Sequence, residues 1–260
     1  MLRRQRIDEL RNALDLGFSD HFESENVRDT TLLHRLDEVE RAVEMMSVEE
    51  SIMHSLLRTS GDKHPSVQIY AADFPSDLRA SFYVLLGGYY RQAILCLRNW
   101  MEMRLLGIYF GLVERDPSKY QDWASGKTGK EEHLFGTRLI GKLFGRDQFQ
   151  KADASVRLRE RLERLYWDLS VFTHGAALVK HDLQRDTDNV PRYNAKSVGT
   201  WLGLLDRTFA EVVFCEFVAY GHHIFSGMTP GEAKTILGHM PAHYEQELRS
   251  AMGQLGLVGP

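Results

Sequence analysis

Two pairs of polar side chains stand in otherwise apolar segments at a spacing that suits chemistry on a helix surface. Arg98 and Glu102 are four residues apart, and so are Ser170 and His174. Residues at this spacing lie side by side on one helix face. A histidine there can act as a general acid or base, and an arginine can hold a phosphate. If the two helices pack together, these four side chains form a candidate catalytic site.

The same residues allow a structural interpretation. Arg91 lies on the same helical stripe as Arg98 and Glu102, and charges inside a buried helix are costly unless they are paired. A network of salt bridges and hydrogen bonds would satisfy them and fix the register of the two helices. The sequence leaves both interpretations open.

A second polar face carries the residue types that bind metals, namely Cys215, Glu216, Tyr220, His222 and His223. No second acidic or histidine cluster at ligand spacing joins them, and paired histidines near a helix end commonly contact its terminal carbonyls. Phosphate-loop, dinucleotide, zinc-protease and Cys-x-x-Cys motifs are all missing from the sequence. We therefore expect no metal site and no cofactor.

The elements that would position these groups are helical. The stretch 76–113 is apolar on almost every side, has Ser76 as a plausible N-cap, and contains no proline. It predicts one long buried central helix, which is too polar to cross a membrane. Further helices are predicted over residues 2–16, 27–57, 131–144, 154–173, 197–225, 230–237 and 241–252, with a loop over 181–196.

The predicted helix 27–57 has a coiled-coil-like seam. Apolar residues follow alternating steps of four and three, interrupted at Glu50: Leu32, Leu36, Val39, Val43, Met46, Met53 and Leu57. Such a seam packs on another helix of the same chain, or it serves as a dimerisation arm. The pattern does not choose between the two.

Composition and length define the class of protein. The 260 residues are 43% hydrophobic and 26% charged, and almost nothing alternates with the period of a strand. We predict an all-α helical bundle forming a single domain over residues 1–260, with 1–60 as an alternative N-terminal arm. The net charge of −4 argues against a non-specific nucleic-acid coat. Two cysteines in apolar helices and the lack of a secretory leader indicate a cytoplasmic protein with reduced thiols.

Several short motifs over residues 78–176 resemble bacterial helical proteins of the HEPN-like kind, which include abortive-infection proteins. The residues that carry the resemblance are Tyr90, Arg91, Gln92, Ala93, Leu97, Arg98, Glu102, Gly107, Tyr109, Phe110, Trp123, Gly126, Lys127, Leu169, Ser170, Phe172, His174 and Gly175.

The resemblance implies a helical bundle, often dimeric. In active members it implies a metal-independent RNase, in which an arginine followed by a histidine after four to six residues forms the catalytic pair across a dimer interface. This chain departs from that pattern, because Trp167, Asp168 and Leu169 occupy the places before His174 where the arginine would stand.

The leading expectation is a homo-oligomeric, HEPN-like defence or toxin protein that acts on RNA. His174 would transfer the proton, Arg98 would contact phosphate, Glu102 would orient Arg98, and Ser170 would support His174. The rival is a non-catalytic interaction or regulatory subunit that binds a partner protein. A third interpretation is a small-molecule sensor, with a ligand between the central helix and the 197–225 helix.

Overall fold

The computed structural model describes residues 20–72, 76–127, 134–173 and 192–254. Within those ranges the chain is helical and contains no strand, so the predicted all-α class is confirmed. The predicted helix over residues 2–16 and residues 181–191 of the predicted loop 181–196 lie outside the described residues. Residues 192–194 are non-helical as predicted, and the next helix begins at residue 195.

Eleven α-helices and one π-helical segment are found in the described part of the chain. In chain order they are α1 (Asp20–Ser60), α2 (Pro65–Ala72), α3 (Ser76–Leu86), α4 (Tyr90–Ile108), the π-helix (Tyr109–Glu114), α5 (Pro117–Ala124), α6 (Gly136–Leu143), α7 (Asp147–Val156), α8 (Leu158–Thr173), α9 (Ala195–Ser226), α10 (Pro230–Gly238) and α11 (Ala242–Gln254).

The predicted central helix 76–113 is two helices. The chain turns at Gly87–Tyr89, where Gly88 has a φ of 83° and the Tyr89 amide bonds the Val84 carbonyl at 3.0 Å. Glycine adopts this left-handed backbone without strain, which allows α3 to end and α4 to fold back against it. The Ser81 hydroxyl then donates to the Ala93 carbonyl at 2.6 Å and ties the two helices together.

The predicted helix 154–173 is also divided. Arg157 has a φ of 52° and separates α7 from α8. The Asp153 carboxylate accepts a 2.8 Å hydrogen bond from the Arg159 amide and so caps the start of α8. Most of α7, together with α2, was not predicted from the sequence.

Helix α4 lies at the centre of the bundle. It contacts α2, α3, α8 and α9, and residues from all around its circumference are buried. Ile94, Leu97, Met101 and Leu105 are each at most 1% exposed. The prediction of a helix buried nearly all round therefore holds for α4. No helix within the described ranges is both long and apolar enough to span a membrane.

The two longest helices are kinked. Non-helical backbone angles occur at Arg35 in α1 and at Tyr220 in α9, where Gly221 follows directly. The Tyr220 phenol lies 3.3 Å from the carbonyls of Gly107 and Ile108, just before the π-helix. The kink of α9 and the start of the π-helix thus lie together at the buried Tyr220.

Candidate functional site

Helices α4 and α8 pack against each other, as the predicted site requires. They are antiparallel: Arg98 contacts Tyr166, and the Arg91 Nε donates to the Phe172 carbonyl at 2.9 Å. The described residues therefore bring Arg98, Glu102 and Ser170 into neighbouring turns. His174 lies outside the described residues, so its predicted role stays a prediction.

Arg98 is held by groups on both helices. Its Nη2 lies 2.8 Å from the Tyr166 hydroxyl and 3.1 Å from Glu102 Oε1. The guanidinium carbon also lies 4.9 Å from the centre of the Tyr166 ring, close enough for a cation–π contact. The Arg98 and Glu102 side chains are 17% and 11% exposed, so their ion pair is mostly buried and is not a surface pair.

Ser170 points along its own helix. Its hydroxyl donates to the Tyr166 carbonyl at 2.6 Å, one turn back, and the residue is 3% exposed. Serine commonly makes such a bond inside a helix. Among the described residues, Ser170 makes no direct bond to Arg98 or Glu102. Its connection to the Arg98 network runs through Tyr166, which bonds to both Ser170 and Arg98.

Tyr166 was not predicted as a site residue, although its contact with Arg98 joins the two helices. Gly136, at the start of α6, faces it with a φ of 60°, and a Cβ there would lie 2.5 Å from the tyrosine ring. Glycine is therefore required for the ring to occupy its position. The sequence signal was an aromatic residue with a polar tip one turn before Ser170.

A second charged cluster is buried more deeply, between α1, α4 and α9. Arg104 forms an ion pair with Glu216 and lies 3.7 Å from Glu49, whose Oε1 accepts a 2.5 Å hydrogen bond from the Trp100 indole. The guanidinium also lies 5.4 Å from the Tyr70 ring. Arg104, Glu49 and Glu216 are at most 8% exposed.

This cluster contains two carboxylates for one guanidinium. Burial raises the pKa of Glu216 to about 7, because removing the carboxylate from water outweighs the opposing effect of Arg104. Its Oε2 has no hydrogen-bond partner among the described residues, which leaves room for the proton that the raised pKa implies. The Glu216 carboxyl group is thus engaged by Arg104 inside the bundle.

A third cluster joins α8, α9 and α11. The Arg161 Nε donates to Glu211 at 2.9 Å, and the Tyr244 hydroxyl donates to the same carboxylate. Desolvation raises the pKa of Glu211. Helix α9 thus supplies one acid to each of the last two clusters. Glu216 connects α9 to α4, and Glu211 connects α9 to α8 and α11.

Arg58 and His64 have the arginine-to-histidine spacing of six residues that the HEPN-like resemblance implies, but their side chains lie in separate surroundings. Arg58 donates to the Gly227 carbonyl at 2.5 Å, whereas His64 packs edge-on against Tyr220 with ring centres 4.8 Å apart. Burial lowers the pKa of His64 to about 4. A neutral, half-buried imidazole of this kind is a packing residue in the described structure.

No protein-family model, no curated protein and no solved structure matches this chain.

Proposed function

We propose that this chain is a cytoplasmic, HEPN-like helical protein that acts as a non-catalytic interaction subunit of a bacterial defence system, and that it binds a second copy of itself. The observation that carries this proposal is an exposed apolar stripe on α1.

The seam of α1 is divided between core and surface. Val39, Met46 and Met53 are buried in the bundle. Leu36, Val43 and Leu57 of the same seam are 52%, 48% and 39% exposed, and Leu33 beside the seam is 79% exposed. Leu36, Val43 and Leu57 are separated by whole heptads, so they line one side of the helix as in a coiled coil. We call this surface the outer face of α1.

The charged residues on the outer face favour an antiparallel arrangement of α1 in the two copies. The amino-terminal half carries the exposed acids Asp37 and Glu40, whereas the carboxyl-terminal half carries the exposed His54. The acid Glu50, also in that half, is paired with Arg79 of α3. A parallel pair would place acidic residues opposite acidic residues, whereas an antiparallel pair places the acidic half against the basic half. A two-fold axis near Ser47 sets Glu40 opposite His54 of the second copy.

The Arg98 network supports a non-catalytic protein. An arginine that binds substrate phosphate must offer donors to solvent, yet the Arg98 side chain is only 17% exposed, and its Nη2 bonds to both Glu102 and Tyr166. The geometry is what a register-fixing network requires.

Sedimentation velocity over roughly 5–100 µM protein tests the proposal. We expect a reversible dimer, and we expect the double variant Leu36→Glu/Val43→Glu to be monomeric and fully helical by circular dichroism. Tyr83→Gln is the matched control, because Tyr83 is a large apolar side chain that is 70% exposed on a different helix, α3. A wild type that stays monomeric at every concentration overturns the proposal, as does equal dissociation of the control.

A metal-independent RNase is the second candidate. The observation that favours it is the contact between α4 and α8, which places Arg98, Glu102 and Ser170 in adjacent turns, close to the end of α8 that precedes His174 in the sequence. Its test is RNA cleavage in the presence of a chelator.

A further inference from the structure

A groove of about 400 Å³ lies beside the π-helix, and the charged side chains that line it all have the same sign. Its walls are the loop that leads into α2, the π-helix with the residue that follows it, and α5. Its volume is in the range of sites that hold small organic molecules. We call this cavity the π-helix groove. It shares no residue with the Arg98 network or with the outer face of α1.

Two cations line the π-helix groove, and no carboxylate is among its described lining residues. Lys63 belongs to the loop before α2, and Arg115 directly follows the π-helix, so the positive charges lie on two different walls. Neither side chain forms an ion pair with a residue in the described part of the chain. The positive charge of the groove is therefore not neutralised from within its own lining.

The acids next to these cations in the sequence do not line the groove. Glu114 lines a separate cavity, where it accepts a 3.2 Å hydrogen bond from the Tyr109 hydroxyl. Asp116 caps α5 by accepting a 2.9 Å hydrogen bond from the Ser118 amide. Asp62 is exposed in the loop before α2. A cleft lined by charges of one sign concentrates ligands of the opposite sign, so the walls of this groove favour an anion.

Arg115 is held at the groove by its backbone and by its own side chain. Its φ is 57°, and its amide donates to the Phe110 carbonyl at 3.2 Å. This left-handed conformation is costly for any residue other than glycine, and such strain is concentrated at functional sites. The Arg115 Nε donates to the Leu112 carbonyl at 3.0 Å, whereas its two Nη groups have no partner among the described residues. The Nη groups are therefore free to bond the oxygens of a phosphate.

The rest of the lining can hold the uncharged part of a ligand. Pro65, Pro117 and Tyr120 supply apolar rings, and each of the three is at least partly exposed. The side-chain amides of Gln68 and Gln121 make no hydrogen bond with another described residue. A few polar groups on a largely apolar wall are the usual form of a small-molecule site.

We propose that the π-helix groove binds a small phosphate monoester that carries a ring. The phosphate group bonds to the Lys63 ammonium and the Arg115 guanidinium, and the ring lies against Pro65, Pro117 and Tyr120. Two cations without a carboxylate suit a dianion better than a monoanion. A phosphate monoester carries nearly two negative charges at about pH 8, because its second pKa is about 6.

Isothermal titration of the full chain with phenyl phosphate and phenyl sulfate at about pH 8 tests the proposal, since the two probes share a shape and differ by one charge. We expect phenyl phosphate to bind at least about tenfold more tightly than phenyl sulfate, and at least about tenfold more tightly than inorganic phosphate, which lacks the ring. Lys63→Gln and Arg115→Gln should each remove most of the preference for phosphate over sulfate. The matched control is Lys119→Gln, which removes an exposed lysine of α5 that lines a different cavity and should leave the preference unchanged.

Four results would overturn the proposal. They are equal affinity for phenyl phosphate and phenyl sulfate, equal affinity for phenyl phosphate and inorganic phosphate, an unchanged preference in either variant, and no binding of phenyl phosphate at roughly 10 mM. Lys63 is exposed and outside any helix, so Lys63→Gln leaves the fold intact even if the loss of the bond from Arg115 to the Leu112 carbonyl disturbs the end of the π-helix.

Discussion

The guanidinium of Arg98 lies against the ring of Tyr166 and donates a 2.8 Å hydrogen bond to its hydroxyl, so one residue of α4 meets one residue of α8 in two ways. Glu102 holds the same guanidinium from its own helix. This contact sets the register between the two helices that carry three of the four predicted site residues. It places Arg98 in the framework of the bundle.

Removing the arginine should destabilise the fold. We predict that Arg98→Met lowers the free energy of unfolding by about 2 kcal/mol, because Glu102 and the Tyr166 hydroxyl lose a charged, half-buried partner. Urea unfolding measures the loss. The control is Arg159→Met, which breaks an exposed pair with Glu163 on α8 and should cost less than about 0.5 kcal/mol. Equal stability of the two variants would show that Arg98 is not a structural residue.

Two glycines of α6, Gly136 and Gly141, allow a direct test of the position of the Tyr166 ring. We predict that Gly136→Ala destabilises the protein by about 2 kcal/mol or more, because its backbone is left-handed and the new Cβ would collide with the ring. Gly141→Ala in the same helix meets nothing within 4 Å and should be neutral or stabilising by about 0.5–1 kcal/mol. Thermal unfolding of the two variants in parallel tests this, and a tolerated Gly136→Ala would count against the described position of Tyr166.

The Arg104–Glu216 cluster predicts a pH effect. Glu216 has a pKa of about 7 in the folded protein against 4.5 ordinarily, so between these values the folded state keeps a proton that the unfolded state loses. This contribution to stability is complete below pH 4.5 and is lost as the pH rises to about 7. Glu216→Gln cannot lose a proton, so wild type should lose roughly 2–3 kcal/mol relative to the variant between pH 5 and pH 8.

Urea unfolding of both proteins at pH 5 and pH 8 measures that difference. Glu160→Gln is a suitable control, because Glu160 is exposed on α8 and its replacement should leave the pH dependence unchanged. A difference between wild type and Glu216→Gln that is constant with pH would mean that Glu216 stays ionised in the fold.

The non-catalytic proposal and the RNase candidate make opposite predictions about RNA cleavage. We expect purified wild type to leave total RNA and transfer RNA intact in EDTA, with no difference between it and His174→Ala. Gel electrophoresis of the RNA is the measurement. Cleavage that survives chelation, disappears in His174→Ala and persists in His243→Ala would establish the second candidate and reject the non-catalytic proposal.

Patterns of apolar residues predicted the helices well where packing and local propensity agree. Helix α9 begins and ends within two residues of its predicted bounds, and the Thr229–Glu232 capping box of α10 is present in full. The failures lie at helix breaks. The break at Gly87–Gly88 was missed because no proline interrupts the segment, so one continuous helix was predicted there. The break at Arg157 was missed because a residue other than glycine takes the left-handed conformation, for which the sequence carries no signal.

The site was predictable in part. Spacing identified Arg98 and Glu102 as a pair, but not Tyr166, because its partner depends on the register between two distant helices. Glu49 could have been found from its place on the buried side of α1, between Met45 and Ile52, where an acid needs a partner. That this partner is a network shared by Arg104 and Trp100 depends on tertiary packing.

The most direct test of the central claim is a charge exchange on the outer face of α1, followed by sedimentation velocity. Glu40→Lys should weaken the dimer about tenfold or more, because an antiparallel pair then places a lysine opposite His54. Adding His54→Glu should restore wild-type association, since the exchanged charges again face each other. A wild type that remains monomeric, or a double variant as weak as the single one, would contradict an antiparallel pairing of two copies through α1.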